Sequence, residues 1–518
     1  MITSANDAFI DLDHGGHAFT GALLITTNDT GTDTAGDVTI SAGSGAALDF
    51  GNSTIDGDLI ATSSNTTGIT DSGALTVRGT SSFQTTATDA DISLGTSTLG
   101  DGTDTITFNT TGSGGDVTFD HGTTAIVLGT SAASLATSVG GNLTLTTGNA
   151  SGITDSATVT VGGNLVATTD ANNGVIDLGT TTVTGTMDLT SHGSGNVTID
   201  NATTDIVLIA SEIGGNLTLT TGNASGIIDS GNVTVGGNLV ATTDANSGVI
   251  NLDSMAVDGT FTLAPNGTGA VTIVNDAGLA LAASTMGGTF SGTATTGNIT
   301  QTGALAITGT TTLTTSANDA TITLGTDSNA FTGAMTITTN DASGTDADVT
   351  IDGGTTALII AASTIDGDLT LTSGNASGIT DTGTVTVGGN FSATTDANNG
   401  VINVGTMAVD GTVALTTNGN GAATIVNDAG LNFAASTVGG ALSATATTGD
   451  ITDSGALTIT GASTFITAAT GSNIILDHAS NAFSNSVELK ADTGGNEAFG
   501  NITFVDSASV DFDSSASA

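Results

Sequence analysis

The sequence predicts an all-β chain folded as a right-handed parallel β-helix, a form of β-solenoid. Three features point to it: long internal repeats, short alternations of apolar and polar residues, and segments rich in Gly, Asn and Asp between them. Such repetition is typical of architectures in which each turn stacks only on its neighbours. Because a solenoid grows without enlarging its core, we expect the 518 residues to form a single elongated domain.

The clearest repeat runs from Gly140 to Gly179, and close copies of it run from Gly214 to Leu252 and from Gly367 to Gly405. The repeats define superunits of 73 to 84 residues, and residues 1–57 form a partial superunit. The superunits start near Asp58, Asn142, Asn216, Thr289, Asp368 and Ala441.

Within a superunit, apolar residues alternate with polar ones in short pieces, as at Leu143/Leu145 and Val159/Val161. Alternation with a period of two predicts strands, and the Gly- and Asn-rich pieces between them predict turns. Corresponding strands recur at about 22-residue intervals, with one interval near 30, which predicts roughly three turns per superunit. We expect Val, Ile and Leu to point inward, with Thr, Ser and Asp outward.

The charge balance is extreme, with 49 acidic residues against Arg78 and Lys490 and a formal net charge of −47. This charge disfavours nucleic acid and anionic membrane surfaces as direct partners. The chain has no cysteine, so disulfides and thiolate metal sites are excluded. No apolar run is long enough for a membrane-spanning helix, so we expect no membrane insertion in this segment.

The first residues lack the basic and apolar regions of a signal peptide. Residues 4–28 align with residues 316–340, so the sequence opens in the middle of a repeat. We therefore expect the chain to be a segment of a longer protein, with its export and anchoring signals elsewhere.

Aspartate recurs after an Ile-Thr or Ile-Ile pair in five of the six superunits, and Gln301 takes this place in the sixth. Stacked carboxylates with backbone carbonyls would suit Ca²⁺, so one hypothesis is a calcium ladder. The alternative is that these residues, and a second row at Asp170, Asp244 and Asp396, are turn formers that need no cofactor. The candidate calcium ligands are Asp71, Asp155, Asp229, Asp381 and Asp453.

The five histidines are His14, His17, His121, His192 and His478. Some of them occupy equivalent repeat positions far apart along the chain, so they cannot share one metal ion. We expect solvated loop histidines.

Polysaccharide-cleaving β-helices need clustered acids with basic partners, and here the two basic residues lie far apart in the sequence. Near-copies of every Asp-bearing segment also favour a structural role, so we predict no enzymatic activity. A carbohydrate-binding or carbohydrate-cleaving β-helix is the alternative from another class. An ice-binding solenoid is less favoured, because Asp188 and Val166 interrupt the outward threonines.

Segments such as ITDSGALTV, GNLTLTTGNASGITDS and NAFTGAMTITTN resemble the β-strand repeats of filamentous-haemagglutinin-type adhesins and related giant bacterial surface proteins. The resemblance implies a structural rod of an extracellular bacterial surface protein, in an adhesin stalk, a fibre or a biofilm. The partners implied are surface glycans or proteins of host or neighbouring cells, or copies of the chain itself. A self-assembling filament, sheath or surface layer is a further alternative, because the ends of a solenoid expose unpaired strand edges.

Overall fold

In the computed structural model, the described residues are 1–3, 5–28, 36–95, 97–130, 136–170, 173–244, 247–340, 346–396, 399–491 and 500–512. They fall into two compact units, Met1–Gly259 (unit 1) and Thr260–Ala518 (unit 2). Each unit is a parallel β-solenoid, and no helix occurs among the described residues. The chain makes about 20 turns of about 22 residues, which confirms the predicted fold class.

The strands of unit 1, numbered β1 to β29 in chain order, span Ile10–His17, Val38–Ala42, Leu48–Phe50, Ser53–Ile55, Leu59–Ser63, Ile69–Asp71, Leu75–Val77, Ser81–Thr88, Ile92–Leu94, Thr98–Leu99, Ile106–Thr111, Val117–Asp120, Ile126–Leu128, Ser138–Val139, Leu143–Thr147, Ile153–Asp155, Val159–Val161, Leu165–Thr169, Ile176–Leu178, Thr181–Val183, Met187–Ser191, Val197–Asp200, Ile206–Leu208, Ser211–Ile213, Leu217–Thr221, Ile227–Asp229, Val233–Val235, Leu239–Thr243 and Ile250–Val257.

The strands of unit 2, numbered β30 to β60, span Thr260–Ala264, Val271–Asn275, Leu279–Leu281, Ser284–Met286, Phe290–Ala294, Ile299–Gln301, Leu305–Ile307, Thr311–Asn318, Ile322–Leu324, Ala330–Phe331, Met335–Asn340, Val349–Asp352, Leu358–Ile360, Ser363–Ile365, Leu369–Ser373, Ile379–Asp381, Val385–Val387, Phe391–Thr395, Ile402–Val409, Thr412–Thr416, Ala423–Asn427, Leu431–Phe433, Ser436–Val438, Leu442–Ala446, Ile451–Asp453, Leu457–Ile459, Ser463–Thr467, Ile474–Leu476, Ala482–Phe483, Val487–Ala491 and Ile502–Phe504.

The strands of each unit form two main stacks. Within each turn the chain adds a segment first to one stack and then to the other. In unit 1, stack 1A contains β16, β19, β22, β25 and β28, and stack 1B contains β12, β15, β18 and β21. In unit 2, stack 2A contains β41, β44 and β47, and stack 2B contains β31, β34, β37 and β40. All these pairs are parallel, as expected for coils that wind in one direction.

In a given stack, a turn carries either one longer strand, often of five residues, or two short strands of two or three residues. The identical segments Leu143–Thr147 and Leu217–Thr221 are both five-residue strands, yet the first lies in stack 1B and the second in stack 1A. Unit 2 shows the same exchange, since Phe290–Ala294 lies in stack 2B and Leu369–Ser373 in stack 2A. A superunit of this length therefore spans about three and a half turns, and equivalent strands of consecutive superunits lie in opposite stacks.

Buried serines pair backbone groups where one long strand is followed by two short ones. The Ser211 hydroxyl accepts the Leu189 N–H at 3.1 Å and donates to the Ile209 carbonyl at 3.1 Å, so it replaces a ladder partner at the gap between β23 and β24. The same arrangement recurs in unit 2 at Ser284, Ser363 and Ser436. Ser53 in unit 1 accepts the Ile25 N–H and donates to the Leu23 carbonyl.

Buried amides perform this role where two short strands are followed by one long strand. Asn201 Oδ1 accepts the Val183 N–H at 2.7 Å, and its Nδ2 donates to the Val183 carbonyl at 3.0 Å. Asn427 makes the same pair of bonds with Val409 at 2.8 and 3.1 Å. Where strands of different length stack on each other, the buried backbone groups are thus hydrogen-bonded by side chains.

The core contains the predicted inward Val, Ile and Leu residues and, in addition, rows of aromatic rings. In unit 1 the rings of Phe50, Phe83, Phe108 and Phe119 follow one another at centroid distances of 6.4, 5.9 and 5.3 Å. In unit 2, Phe433, Phe465 and Phe483 are spaced at 6.1 Å. These separations suit attractive edge-on or offset ring contacts, so phenylalanine continues the aliphatic ladders.

Not every threonine points outward. The last residue of many five-residue strands is a buried threonine whose hydroxyl donates to the carbonyl five residues later, as from Thr169 to Gly174 at 2.8 Å and from Thr395 to Gly400 at 2.8 Å. The expectation of outward Thr is therefore wrong at these positions, because closing the turn requires a buried hydroxyl there.

Glycine is required where successive turns approach each other closely. Gly152 has a φ of +69°, and a Cβ on it would lie 1.8 Å from the carbonyl oxygen of Val175 on the next turn. Gly226 has the same environment against Val249. Both the positive φ and the contact exclude a side chain.

Thr311 and Thr315 in β37 provide a matched test of buried hydroxyls. Both are 1 % exposed, but the Thr311 hydroxyl has no hydrogen-bond partner whereas the Thr315 hydroxyl donates to the Ala320 carbonyl at 3.2 Å. We expect Thr311→Val to raise the free energy of unfolding by about 1 kcal/mol and Thr315→Val to lower it by about 1 kcal/mol. Urea unfolding of the full chain measures both, and equal effects of the two variants would contradict this account.

Candidate functional site

The five candidate calcium ligands do not form one ladder in either unit. In unit 1, Asp71 and Asp229 end strands of stack 1B, whereas Asp155 ends a strand of stack 1A. In unit 2, Asp381 lies in stack 2B and Asp453 in stack 2A. The alternation follows from the half-turn in each superunit, which moves every second copy to the opposite stack.

Each of these carboxylates accepts hydrogen bonds from residues of the next turn of the solenoid. Asp155 Oδ1 accepts the Gly179 N–H at 2.9 Å, and its Oδ2 accepts the Thr180 N–H at 3.0 Å and the Thr180 hydroxyl at 2.5 Å. Asp381 repeats this pattern with Gly405 at 2.8 Å and with both Thr406 groups at 2.6 Å. We call this arrangement, an aspartate bound to the residues 24 and 25 positions later, the aspartate clamp.

The other three aspartates show variations of the clamp. Asp229 accepts the N–H groups of Asp253 and Ser254 at 2.9 and 2.8 Å. Asp71 accepts the Gly95 N–H at 3.0 Å and the Ser97 hydroxyl at 2.7 Å.

Asp453 accepts the N–H groups of Asp477 and His478 and, at 2.6 Å, the Asn481 side-chain amide. In all five clamps, both carboxylate oxygens therefore bind donors of the chain itself.

The clamp forms where a short strand ends before a turn. At such a point the N–H groups of the next turn have no ladder partner, and a carboxylate is the strongest acceptor that the chain can place there. Gln301 fills the equivalent position with an amide: its Nε2 donates to Asn329 Oδ1 and its Oε1 accepts from Asn329 Nδ2, both at 2.9 Å. The exception is thus also a structural contact, built from a neutral amide pair.

Burial perturbs one clamp carboxylate. Asp229 is 8 % exposed, and burial raises the pKa of its carboxyl above the usual value, although the N–H bonds from Asp253 and Ser254 oppose the shift. Desolvation disfavours the charged form, whereas the donated hydrogen bonds favour it. Burial also raises the pKa of Asp188 and of Asp352.

The aspartates of the second row directly follow five-residue strands. The backbone N–H groups of Asp170 and Asp244 donate to the carbonyls of Thr147 and Thr221, and that of Asp396 donates to Ser373 at 3.2 Å. All three residues directly precede positions outside the described ranges. The structure does not bring this row together with the clamp aspartates in a group of metal ligands, since the described residues contain no cluster of three or more His, Asp or Glu side chains that could hold a metal ion.

Three histidines contradict the expectation of solvated loop positions, since His14 and His17 lie in β1 and His121 is buried. His121 is 1 % exposed; its Nε2 accepts the Leu99 N–H at 2.8 Å and its Nδ1 lies 2.9 Å from the Ala125 carbonyl oxygen. The repeat alignment of FDHGTT with IDNATT equates His121 with Asn201, which pairs buried backbone groups in the same way. That alignment was the sequence signal for a structural histidine.

The two basic residues lie next to carboxylates. Arg78 Nε is 3.3 Å from Asp56 Oδ1, and Lys490 Nζ is 2.7 Å from Glu488 Oε1. Two cations cannot neutralise 49 acidic residues, so the electrostatic field of the chain is strongly negative.

A shallow depression of about 340 Å³ in unit 2 contains two carboxylates, Asp410 and Asp450, with Asn432 and Thr452. Both oxygens of Asp450 already accept hydrogen bonds from Asn473. The described lining of this depression contains no aromatic ring of the kind that stacks on sugars.

No helix in the described part of the chain is long and apolar enough to cross a membrane.

Asp155 and Asp177 allow a charge-matched test of the clamp. Asp177 is exposed on β19, directly opposite Thr154, the residue before Asp155. We expect Asp155→Asn to lower the free energy of unfolding by about 1 to 2 kcal/mol, because an amide cannot accept from both N–H groups. Asp177→Asn removes the same charge and should change stability by less than about 0.5 kcal/mol. Chemical unfolding measures both, and equal losses would refute the clamp.

The charge excess and the occupied carboxylates lead to a prediction about salt. Raising NaCl from 0.05 to about 1 M should raise Tm by several degrees, because screening shortens the Debye length to about 3 Å. CaCl₂ and MgCl₂ at the same ionic strength should then give equal Tm values. A calcium-specific gain of more than about 3 °C, measured by calorimetry, would indicate that a calcium site exists after all.

The comparisons with known proteins identify one sequence family. No curated protein and no solved structure matches the chain. The family described as Repeats of unknown function (DUF5649) matches residues 35–113, 268–338, 346–402 and 420–490. Since these matches together cover more than half of the sequence, the chain belongs to the family of Repeats of unknown function (DUF5649).

Proposed function

We propose that the chain is a non-enzymatic structural rod of an extracellular bacterial surface protein, serving in an adhesin stalk, a fibre or a biofilm. The observation that carries this proposal is the aspartate clamp. The aspartates that recur most regularly are the strongest candidates for chemistry, and all five hold the turns of the solenoid. The clamp aspartates therefore recur because the backbone turns that they bind recur.

The distribution of hydrogen-bonding groups also supports a structural role. Catalysis by acids and bases requires groups that are free to exchange protons with a substrate. Here the buried side chains of Asn201, Ser211 and His121 are bound to backbone groups. Both basic residues lie within ion-pair distance of carboxylates, which leaves neither as an obvious partner for an anionic substrate.

The surface chemistry fits the extracellular setting of this proposal. The chain lacks cysteine, so its stability is independent of the redox state of its surroundings. Its high negative charge opposes lateral association of copies and keeps an extended β-protein soluble. The resemblance of its repeats to filamentous-haemagglutinin-type adhesins favours the same setting, and the partners are surface glycans or proteins of neighbouring cells.

Location and role are tested on intact cells. Antibodies raised against the purified chain should label the surface of unpermeabilised cells, and exclusively cytoplasmic labelling would overturn the proposal. Removing residues 142–215 deletes one superunit and rejoins nearly identical sequence, since Asn216 follows Gly141 with the same LTLTTGNASGI segment. We expect this variant to remain folded and to support cell adhesion or biofilm mass.

The control for this deletion keeps its length but carries Leu217→Asp and Leu219→Asp, which place two charges in the core and should abolish both folding and adhesion. Sugar release from bacterial or host glycans by the purified chain would favour a carbohydrate-cleaving β-helix instead. Loss of adhesion in the folded in-register variant would place a unique binding site within residues 142–215 and contradict a purely structural role for this segment.

A further inference from the structure

We propose that the contact of His121 with Leu99 and Ala125 is an acid-sensitive lock on one turn of unit 1. The lock lies where the two short strands β9 and β10 are followed by the single strand β12. Since β12 ends at Asp120, the Leu99 N–H has no strand partner on the following turn and is bound by the imidazole instead.

The geometry fixes the protonation state that closes the lock. An imidazole nitrogen that accepts the Leu99 N–H must carry no hydrogen, so Nε2 is the acceptor and Nδ1 carries the hydrogen that is donated to the Ala125 carbonyl. Imidazolium has hydrogen on both nitrogens. Protonation would therefore place two donors 2.8 Å apart and break the bond to Leu99.

The surroundings determine where this protonation occurs. Burial lowers the pKa of His121 from 6.5 to about 4, although the Ala125 carbonyl and the Asp120 carboxylate both favour the charged form. The Phe119 ring lies 4.9 Å from the imidazole and contributes to its apolar environment. In the open turn the imidazole is hydrated and regains an ordinary pKa, so acid favours opening.

The charged groups near the lock are almost all acidic. Arg78 is the basic residue of the preceding turn, and it lies 3.3 Å from Asp56. The acidic groups on β12 and on other elements of this part of unit 1 are Asp120 on β12, Asp71 on β6, Asp101 and Asp104 between β10 and β11, and Asp155 on β16. Of these, Asp120 acts electrostatically on the imidazole. Among the groups near the lock, His121 is the one that accepts the Leu99 N–H, so its protonation state decides whether that hydrogen bond is made.

The direction of the effect follows from linkage. The folded pKa lies below that of the open turn, so the open turn binds more protons between pH 6.5 and 4. The lock is fully closed above this interval and weakens as the pH falls through it. From the two pKa values, the opening equilibrium should increase about 30-fold between pH 7.5 and pH 5. Opening of this turn would expose the buried rings of Phe108 and Phe119 to solvent.

The same molecule contains a control that does not titrate. Asn201 binds the Val183 N–H at 2.7 Å at the equivalent repeat position, and an amide keeps one protonation state over this pH range. Hydrogen–deuterium exchange with peptide-level mass spectrometry can compare the two sites in one sample of the full chain. Protection factors, corrected for the intrinsic pH dependence of exchange, are the measured quantity.

We expect the protection factor of peptides containing Leu99 to fall about 30-fold from pH 7.5 to pH 5, whereas peptides containing Val183 keep theirs. His121→Asn should remove the difference, because it introduces the residue found at Asn201. Equal pH dependence at the two sites of the native chain would overturn the proposal, even if the variant did not fold. A folded His121→Asn chain that retained the 30-fold loss would overturn it as well.

Discussion

The structure depends on one constraint: every buried N–H and C=O group of a turn must meet a partner on the turns before and after it. Parallel ladders satisfy most of these groups, but only where strands of equal length stack. The superunit spans about three and a half turns, so identical segments such as Leu143–Thr147 and Leu217–Thr221 must pair within different stacks. Strands of different length consequently meet at regular intervals, and the ladder alone cannot satisfy the backbone there.

Polar side chains complete the ladder at these intervals, each with the chemistry that its position needs. Serine both accepts and donates, so Ser211 bridges Leu189 and Ile209 within the narrow gap between two short strands. The longer amide of Asn201 reaches both backbone groups of Val183. Aspartate accepts without donating, so Asp155 suits a turn that presents two N–H groups at once. The polar repeats are thus a consequence of strand length, as the apolar repeats are a consequence of burial.

The sequence predicted the solenoid because its two strongest signals, the repeat and the alternation of apolar residues, report directly on turns and strands. Leu143, Val161 and Ile176 lie inside as expected, since their alternation leaves one orientation that buries them. The role of Asp155 was harder to predict, because its partners Gly179 and Thr180 are distant in sequence and adjacent only across turns. The burial of His121 depends on the end of β12, and the alignment of FDHGTT with IDNATT is the sequence signal for it.

The half-turn also explains why a row that looks like a ladder in the sequence does not form a ladder in the solenoid. Consecutive members, such as Asp155 and Asp229, belong to opposite stacks of unit 1. Their carboxylates are thereby separated across the solenoid, and each binds the N–H groups of its own neighbouring turn, which provide partial positive charge without a metal. The chain has 49 acids and two bases, and its own backbone N–H groups can therefore stabilise much of this negative charge by hydrogen bonds. The unneutralised remainder faces solvent, where water and salt screen it most effectively.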